Sequence, residues 1–234
     1  MNLNLSYCLT RMQNLQNQQV AITPVLFMSN HPKISSIKKQ RTFCMIKPDG
    51  VQRGLIGEIL MRIEKSGLKI VAMKMIYATA EQVISHYPMS DQAWIDRLGD
   101  KGLNTFADLE LDANEFLGTN DRSVIGKKVS EALVDYMTSG PVLCIIVEGI
   151  QSVAMVRKLA GHTLPFKADM GTIRGDFSVD SPAIANVEGR AIHNLFHASE
   201  IESEATNEMA LWFGEDEIVK YIRTGEEVMY SKTY

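Results

Sequence analysis

Val142-Leu143-Cys144-Ile145-Ile146-Val147 is an unbroken apolar run and the strongest buried-strand signal in the chain. Gly140-Pro141 stands in front of it and ends a helix predicted over Ser123 to Met137. Behind it, Gln151 to Ala160 is predicted to be a helix with Gly161 as its stop. A glycine-containing loop over Leu164 to Ser181 follows, and Ile192 to Phe196 reads as a further strand. The same order stands earlier in the chain. Phe43-Cys44-Met45-Ile46 reads as a buried strand running into the turn tetrapeptide Lys47-Pro48-Asp49-Gly50. Ile56, Ile59, Leu60 and Ile63 fall at i, i+3, i+4 and i+7 before Gly67, the pattern of an amphipathic helix, and Leu68 to Tyr77 reads as a second strand. Strand, helix, strand, twice over, makes two split βαβ units. The predicted class is therefore α+β: a ferredoxin-like, four-stranded antiparallel sheet with helices packed on its face. That fold hosts many functions, so the chemistry must be argued from the site.

Thr79 and Gln82 form a capping-box pattern for a short helix through Tyr87. Residues 88–122, interrupted by Pro88, Gly99, Gly102 and Gly118, read as an insertion with short helices. Helices are predicted at Ile201 to Trp212 and Glu215 to Ile222. Residues 1–40 hold four basic residues and no acid, and four Asn and four Gln stand in the first 20 without periodicity. They read as a poorly ordered N-terminal extension, with the folded domain over 41–234. An organelle transit peptide and an upstream start codon, with Met28 as the natural start, both fit this segment.

The chain of 234 residues is 45% hydrophobic and 22% charged, an ordinary globular composition that argues against disorder and coiled coil. Its net charge is −4, and residues 41–234 carry 20 positive and 28 negative charges. No whole-molecule positive field exists to attract nucleic acid or a membrane, and neither partner is expected. The longest N-terminal apolar stretch, Val20 to Met28, contains Pro24 and is far shorter than a span of about 20 residues. Cys8, Cys44 and Cys144 lack metal-ligand spacing, and the last two lie in apolar runs as reduced core residues. A reducing compartment, the cytoplasm, is the expected location.

No phosphate-loop, dinucleotide or zinc signature occurs. Cations and a hydroxyl instead stand at element ends: Lys47, Arg157, Thr163 and Arg174. Each alone reads as a solvated turn, an exposed helix face or a loop anchor. Together they match the several directions from which a polyphosphate needs cationic and hydroxyl donors. Of His162, His193 and His197, the last ends a predicted strand in Asn194-Leu195-Phe196-His197-Ala198-Ser199-Glu200, ahead of an acidic helix containing Glu202, Glu204 and Glu208. Imidazole is a good nucleophile at neutral pH, and a carboxylate can fix its tautomer.

These segments resemble the nucleoside diphosphate kinase family. The resemblance covers roughly residues 41–222. It rests on Lys47 to Val51 with Arg53 to Gly57, His86-Tyr87, Thr138 to Pro141, Gly171 to Phe177, and Asn194 to Ser199. It implies a ferredoxin-like fold and a ping-pong exchange. His197 would take the γ-phosphoryl of ATP or another nucleoside triphosphate and pass it to a nucleoside diphosphate. It further implies Lys47, Arg157, Thr163 and Arg174 as phosphate ligands. Tyr87 and Asn194 would lie near the nucleophile, phosphates and sugar, and Ser199 and Glu208 would support the histidine. Mg²⁺ would be held mainly through phosphate oxygens, with no metal ligands of the protein's own. A homo-oligomer, tetramer or hexamer, is also implied. The family's H-G-S-D appears here as His197-Ala198-Ser199-Glu200, and its base-stacking aromatic segment after His-Tyr has no clear match. Trp94 and Phe106 both fit that role, and both fit the core of the insertion. A regulatory or interaction module, in which histidine phosphorylation or assembly matters more than nucleotide turnover, is the competing class. A ferredoxin-like RNA-binding domain lacks its aromatic strand motif here.

Overall fold

Gln40–Ile46 forms β1, whose last four residues, Phe43, Cys44, Met45 and Ile46, are completely buried. Alternation along a strand sends Phe43 and Met45 to one face and Cys44 and Ile46 to the other, so the sheet must be covered on both sides. The computed structural model describes residues 40–229, and the predicted N-terminal extension up to residue 39, with Cys8, lies outside them. β1 is followed by α1 (Pro48–Gln52) and α2 (Ile56–Lys65), then β2 (Lys69–Tyr77) and α3 (Ala80–His86). Next come α4 (Gln92–Asp108), α5 (Ala113–Leu117), α6 (Arg122–Thr138), β3 (Pro141–Gly149) and α7 (Ser152–Ala160). The C-terminal part holds α8 (Ile173–Phe177), α9 (Pro182–Val187), β4 (Phe196–Ala198), α10 (Glu202–Trp212) and α11 (Glu226–Met229).

The strands lie in the order β2-β3-β1-β4, every pair antiparallel, which is the ferredoxin-like arrangement. Cys44 stands opposite Ile145, and Met45 opposite both Cys144 and His197. The crossover helices α2 and α7 cover one face, where Ile59, Ile63, Val156 and Ala160 pack on Cys44, Ile46, Leu143, Ile145 and Val147. The other face is covered by α3, α6 and α10, through Val83, Tyr136, Met137 and Trp212 on Phe43, Met45, Val142, Cys144 and Ile146. Each fully buried side chain of this size contributes about 1.5–3 kcal/mol. His197, paired with Met45, belongs to this second face.

Four local expectations need correction. Residues 88–122 do not hold only short helices, because α4 runs for 17 residues. Gly99 and Gly102, which read as interruptions, lie inside it as contact points. A Cβ on Gly99 would come within 1.9 Å of the Arg122 carbonyl, and one on Gly126 of α6 within 2.0 Å of the Ile95 carbonyl. The two helices approach so closely that only glycine fits. The fourth strand is Phe196–Ala198 rather than 192–196, because Leu195 takes a left-handed φ of 64° that no strand accommodates. The segment 215–222 makes one 3₁₀ turn, Glu215–Glu217, and then runs beside β2, where the Val219 N–H donates to the Val71 carbonyl at 2.8 Å. The loop 164–181 contains α8, capped by the Thr172 hydroxyl, which accepts from the Gly175 N–H at 3.1 Å.

The glycine contact is testable by urea unfolding. Gly126→Val should destabilise the chain by about 1–3 kcal/mol. Gly57→Ala, in open space on α2, should be neutral or stabilising by up to about 1 kcal/mol. Equal midpoints for the two variants would refute the close-approach argument.

Candidate active site

The segment before β4 is fastened from three directions. The Lys47 N–H, at the end of β1, donates to the Leu195 carbonyl at 2.8 Å. The Asp49 carboxylate accepts from the Leu195 N–H at 3.2 Å, from the Gly50 N–H at 2.9 Å and from the Tyr136 hydroxyl in a very short bond. Arg174, on α8, gives its guanidinium to the carbonyls of Asn194 (3.2 Å), Gly161 (2.7 Å) and Phe196. Only some of its five N–H donors remain for a ligand. Asn194, so held, accepts from Lys47 Nζ at 2.8 Å through Oδ1 and donates from Nδ2 to the Thr163 carbonyl at 3.0 Å.

His197 follows on β4. Its Nε2 lies 2.9 and 3.0 Å from the two oxygens of Glu208 on α10, and the Ser199 hydroxyl donates to Glu208 Oε2 at 2.6 Å. The carboxylate therefore holds the proton on Nε2 and leaves Nδ1 with a free lone pair. Burial, and then the charges of Lys47, Arg174 and Arg157, keep His197 well below the usual imidazole range. It is neutral at physiological pH. Burial raises Glu208 above the ordinary carboxylate value, opposed by His86 and by the bond from Ser199.

His86 packs edge-on to His197, with ring centroids 4.4 Å apart. Its Nδ1 accepts from the Trp212 indole N–H at 3.2 Å, so its proton sits on Nε2, which is buried without a partner. Burial and His197 bring its pKa down to about 3. Tyr87 crosses His197 at 89° with centroids 6.1 Å apart, and its buried hydroxyl also has no hydrogen-bond partner. Buried hydroxyls are nearly always hydrogen-bonded, so this one stands out as a donor beside His197.

Lys47 is buried, and burial together with Arg174 lowers its pKa to about 7, against the pull of Asp49. Burial and Arg157 lower Arg174 to about 10. Arg157, on α7, is half-exposed and lies 3.5 Å from the exposed Glu200 carboxylate. Thr163 is exposed on the loop after α7, joined to the rest through its carbonyl. Phe106 is 1% exposed in a small core with Ala113 and Ala183, so it cannot face a ligand. Trp94 is half-buried and stacks on Tyr87 at 6.0 Å. Asp49 and Tyr136 went unread as site residues because Asp49 stands in a turn tetrapeptide and Tyr136 in a helix 87 positions away. The strand pairing that brings them together has no local signal.

His86, His197 and Glu208 bring ligand atoms within 4.8 Å of one another. That set is rich in nitrogen, whereas Mg²⁺ takes hard oxygen ligands, so the trio does not fit Mg²⁺. Among the described residues, Glu200 is the one exposed carboxylate paired with Lys47, Arg157 or Arg174.

Residues 40–95 and 112–218 match the family model described as nucleoside diphosphate kinase. A nucleoside diphosphate kinase of Pyrobaculum aerophilum is 45% identical over 181 residues, which is 77% of this chain and 98% of that protein. The crystal structure of an NDP kinase from the same organism superposes with a TM-score of 0.72 at 43% identity, covering 78% of this chain and 100% of that one. A transition-state mimic of the Borrelia burgdorferi enzyme, with bound vanadate and ADP, gives 0.64 at 35% identity over 82% and 98%.

Lys47 yields a pH signature. A phosphate placed beside it raises its pKa, so the complex keeps a proton that the free protein loses above pH 7. Affinity for ADP should then fall by up to about tenfold per unit as pH rises past 7. Calorimetry at pH 8 in buffers of different ionisation enthalpy should show proton uptake on binding. No uptake, or the same uptake in Lys47→Met, would refute this.

Proposed function

The chain belongs to the nucleoside diphosphate kinase family and is a nucleotide-binding phosphotransferase, and on that premise we propose that His197 carries the phosphoryl group between nucleotides. The observation that carries this reading is the His197–Glu208–Ser199 constellation beside four cationic or hydroxyl residues. With Nε2–H held by Glu208, the Nδ1 lone pair attacks the γ-phosphorus of ATP or another nucleoside triphosphate. The Nδ1–P bond forms as the bond to the β-phosphate oxygen breaks, and the nucleoside diphosphate leaves. The phosphorylated ring carries positive charge, which Glu208 offsets. A second nucleoside diphosphate then attacks from the vacated position and restores neutral His197. A phosphoramidate retains high transfer potential, which suits reversible exchange.

Lys47, Arg157, Thr163 and Arg174 bind the phosphates, and Tyr87 and Asn194 orient the nucleophile, the chain of phosphates and the sugar. Mg²⁺ bound with the nucleotide would supply charge neutralisation, held mainly through the phosphates, and Glu200, beside Arg157, is the carboxylate that would stand near it. These residues address phosphates rather than base edges, which supports low base selectivity. Among the described residues, no helix is long and apolar enough to cross a membrane. The buried thiols of Cys44 and Cys144 support a reducing compartment, the cytoplasm. Met73, Met75 and Tyr77, exposed along the edge strand β2, support a homo-oligomer, tetramer or hexamer.

The test is to label the protein with γ-labelled ATP and Mg²⁺ and chase with unlabelled GDP or CDP. Acid-labile label should appear on the wild type, move to the added diphosphate, and be absent from His197→Ala. Glu208→Gln should lower the rate of labelling by about 100-fold or more. Label that persists in His197→Ala would overturn the assignment. Light scattering should give a mass above the monomer at micromolar concentration.

A further inference from the structure

None of the phosphate-binding residues above comes from the segment between Tyr87 and Arg122, yet α4 touches neighbours of the site at both of its ends. Near its start, Trp94 lies against Tyr87, with centroids 6.0 Å apart and planes 28° apart. At its end, Asp108 pairs at 2.9 Å with Lys167, which stands in the 3₁₀ turn Pro165–Lys167 just after Thr163. α4 therefore reaches from the aromatic beside His197 to the loop that holds Asn194 through the Thr163 carbonyl.

The phase of the helix fixes which residues face inward. Ile95, Gly99, Gly102 and Phe106 are the buried stripe, with Ile95 and Gly99 in contact with α6. At 100° per residue, Trp94 and Lys101 share a different face, two turns and about 10 Å apart. Lys101 is exposed, so its ammonium is not used up in the core. Partial burial along its stem, and then Arg97 and Arg174, hold its ammonium below the usual lysine range against the pull of Glu200, and Lys101 in turn lowers Lys47. Lys47 and Arg174 are the two buried cations tied to Asn194, and Glu200 is the partner of Arg157. The inserted helix brings a fourth positive group to the three cations already assigned, Lys47, Arg157 and Arg174.

We propose that Lys101 is a phosphate-binding residue, supplied by the insertion, that contacts the polyphosphate chain of the nucleotide. A lysine suits this place. Its ammonium is a point charge on a flexible stem and needs no fixed fork geometry, so it can follow the anion from an exposed helix. Four cations converging without an anion repel one another, and a bound polyphosphate relieves that repulsion.

The kinetic part rests on the phosphotransferase reading, so the test has two arms on the full-length chain. Inorganic tripolyphosphate, which has no base or sugar, is titrated calorimetrically into wild type, Lys101→Met and Lys101→Arg. Loss of one charge-assisted contact should weaken binding by about tenfold or more in Lys101→Met, with Lys101→Arg within about threefold of wild type. Phosphoryl exchange from ATP should show the same order in kcat/KM, while thermal unfolding of the unliganded variants is unchanged. Equal tripolyphosphate affinity for wild type and Lys101→Met would overturn the proposal. An inactive wild type would overturn the catalytic reading, and the tripolyphosphate arm would still decide the role of Lys101. Equal loss in Lys101→Met and Lys101→Arg, with a lowered unfolding temperature, would mark the residue as structural and overturn the proposal as well.

Discussion

Leu195 is held in the left-handed region of backbone space, and the site depends on that single conformation. For a non-glycine residue it costs about 1–2 kcal/mol. The cost is offset by Asp49 on its N–H, Lys47 on its carbonyl, and Arg174 on the carbonyls to either side. The bend it makes turns the chain between Asn194, whose amide meets Lys47, and His197, which enters β4 opposite Met45. Without it, the last strand could not start where it does. His197 would then not reach Glu208.

The electrostatics follow from the same packing. Two cations, a neutral histidine and an unpartnered tyrosine hydroxyl are gathered in a place largely closed to water. Burial and mutual repulsion push Lys47 down to about 7 and Arg174 down to about 10. On the proposed reading, donors held in place by the fold before the nucleotide binds are the form of preorganisation that lowers a charge-transfer barrier. Nearby, Trp212 occupies the lone pair of His86. The carboxylate of Glu208 is left to His197 and Ser199.

The layered arrangement of the fold was legible in the chain because β1, β3 and the amphipathic α2 carry their burial pattern in their own residues. Val142 to Val147 is apolar at every position, and the structure buries both faces of it. The insertion was not legible. Gly99 and Gly102 look like helix breakers to any local rule, since glycine weakens a helix by about 1 kcal/mol. Their purpose is visible only when α6 lies against Gly99 and Asn186 of α9 against Gly102. The last strand starts four residues later than its composition indicates, for a similar reason. Ile192 to Phe196 has the composition of a strand, and the bonds that bend it come from residues 20 to 147 positions away.

The sequence by itself determined the doubled strand-helix-strand order, the covered sheet and the placing of cations and a hydroxyl at element ends, because hydrophobic periodicity and residue chemistry are local properties. Motif resemblance pointed to Ser199 and Glu208 as partners of His197. Only the tertiary structure decided that Nε2 faces Glu208, that Arg174 spends part of its guanidinium on backbone carbonyls, and that Phe106 is core while Trp94 lies against Tyr87. Those outcomes depend on which atoms meet after the sheet and its two helical layers have closed. Contact between residues so far apart in the chain is set by packing and hydrogen-bond geometry, which no local pattern records.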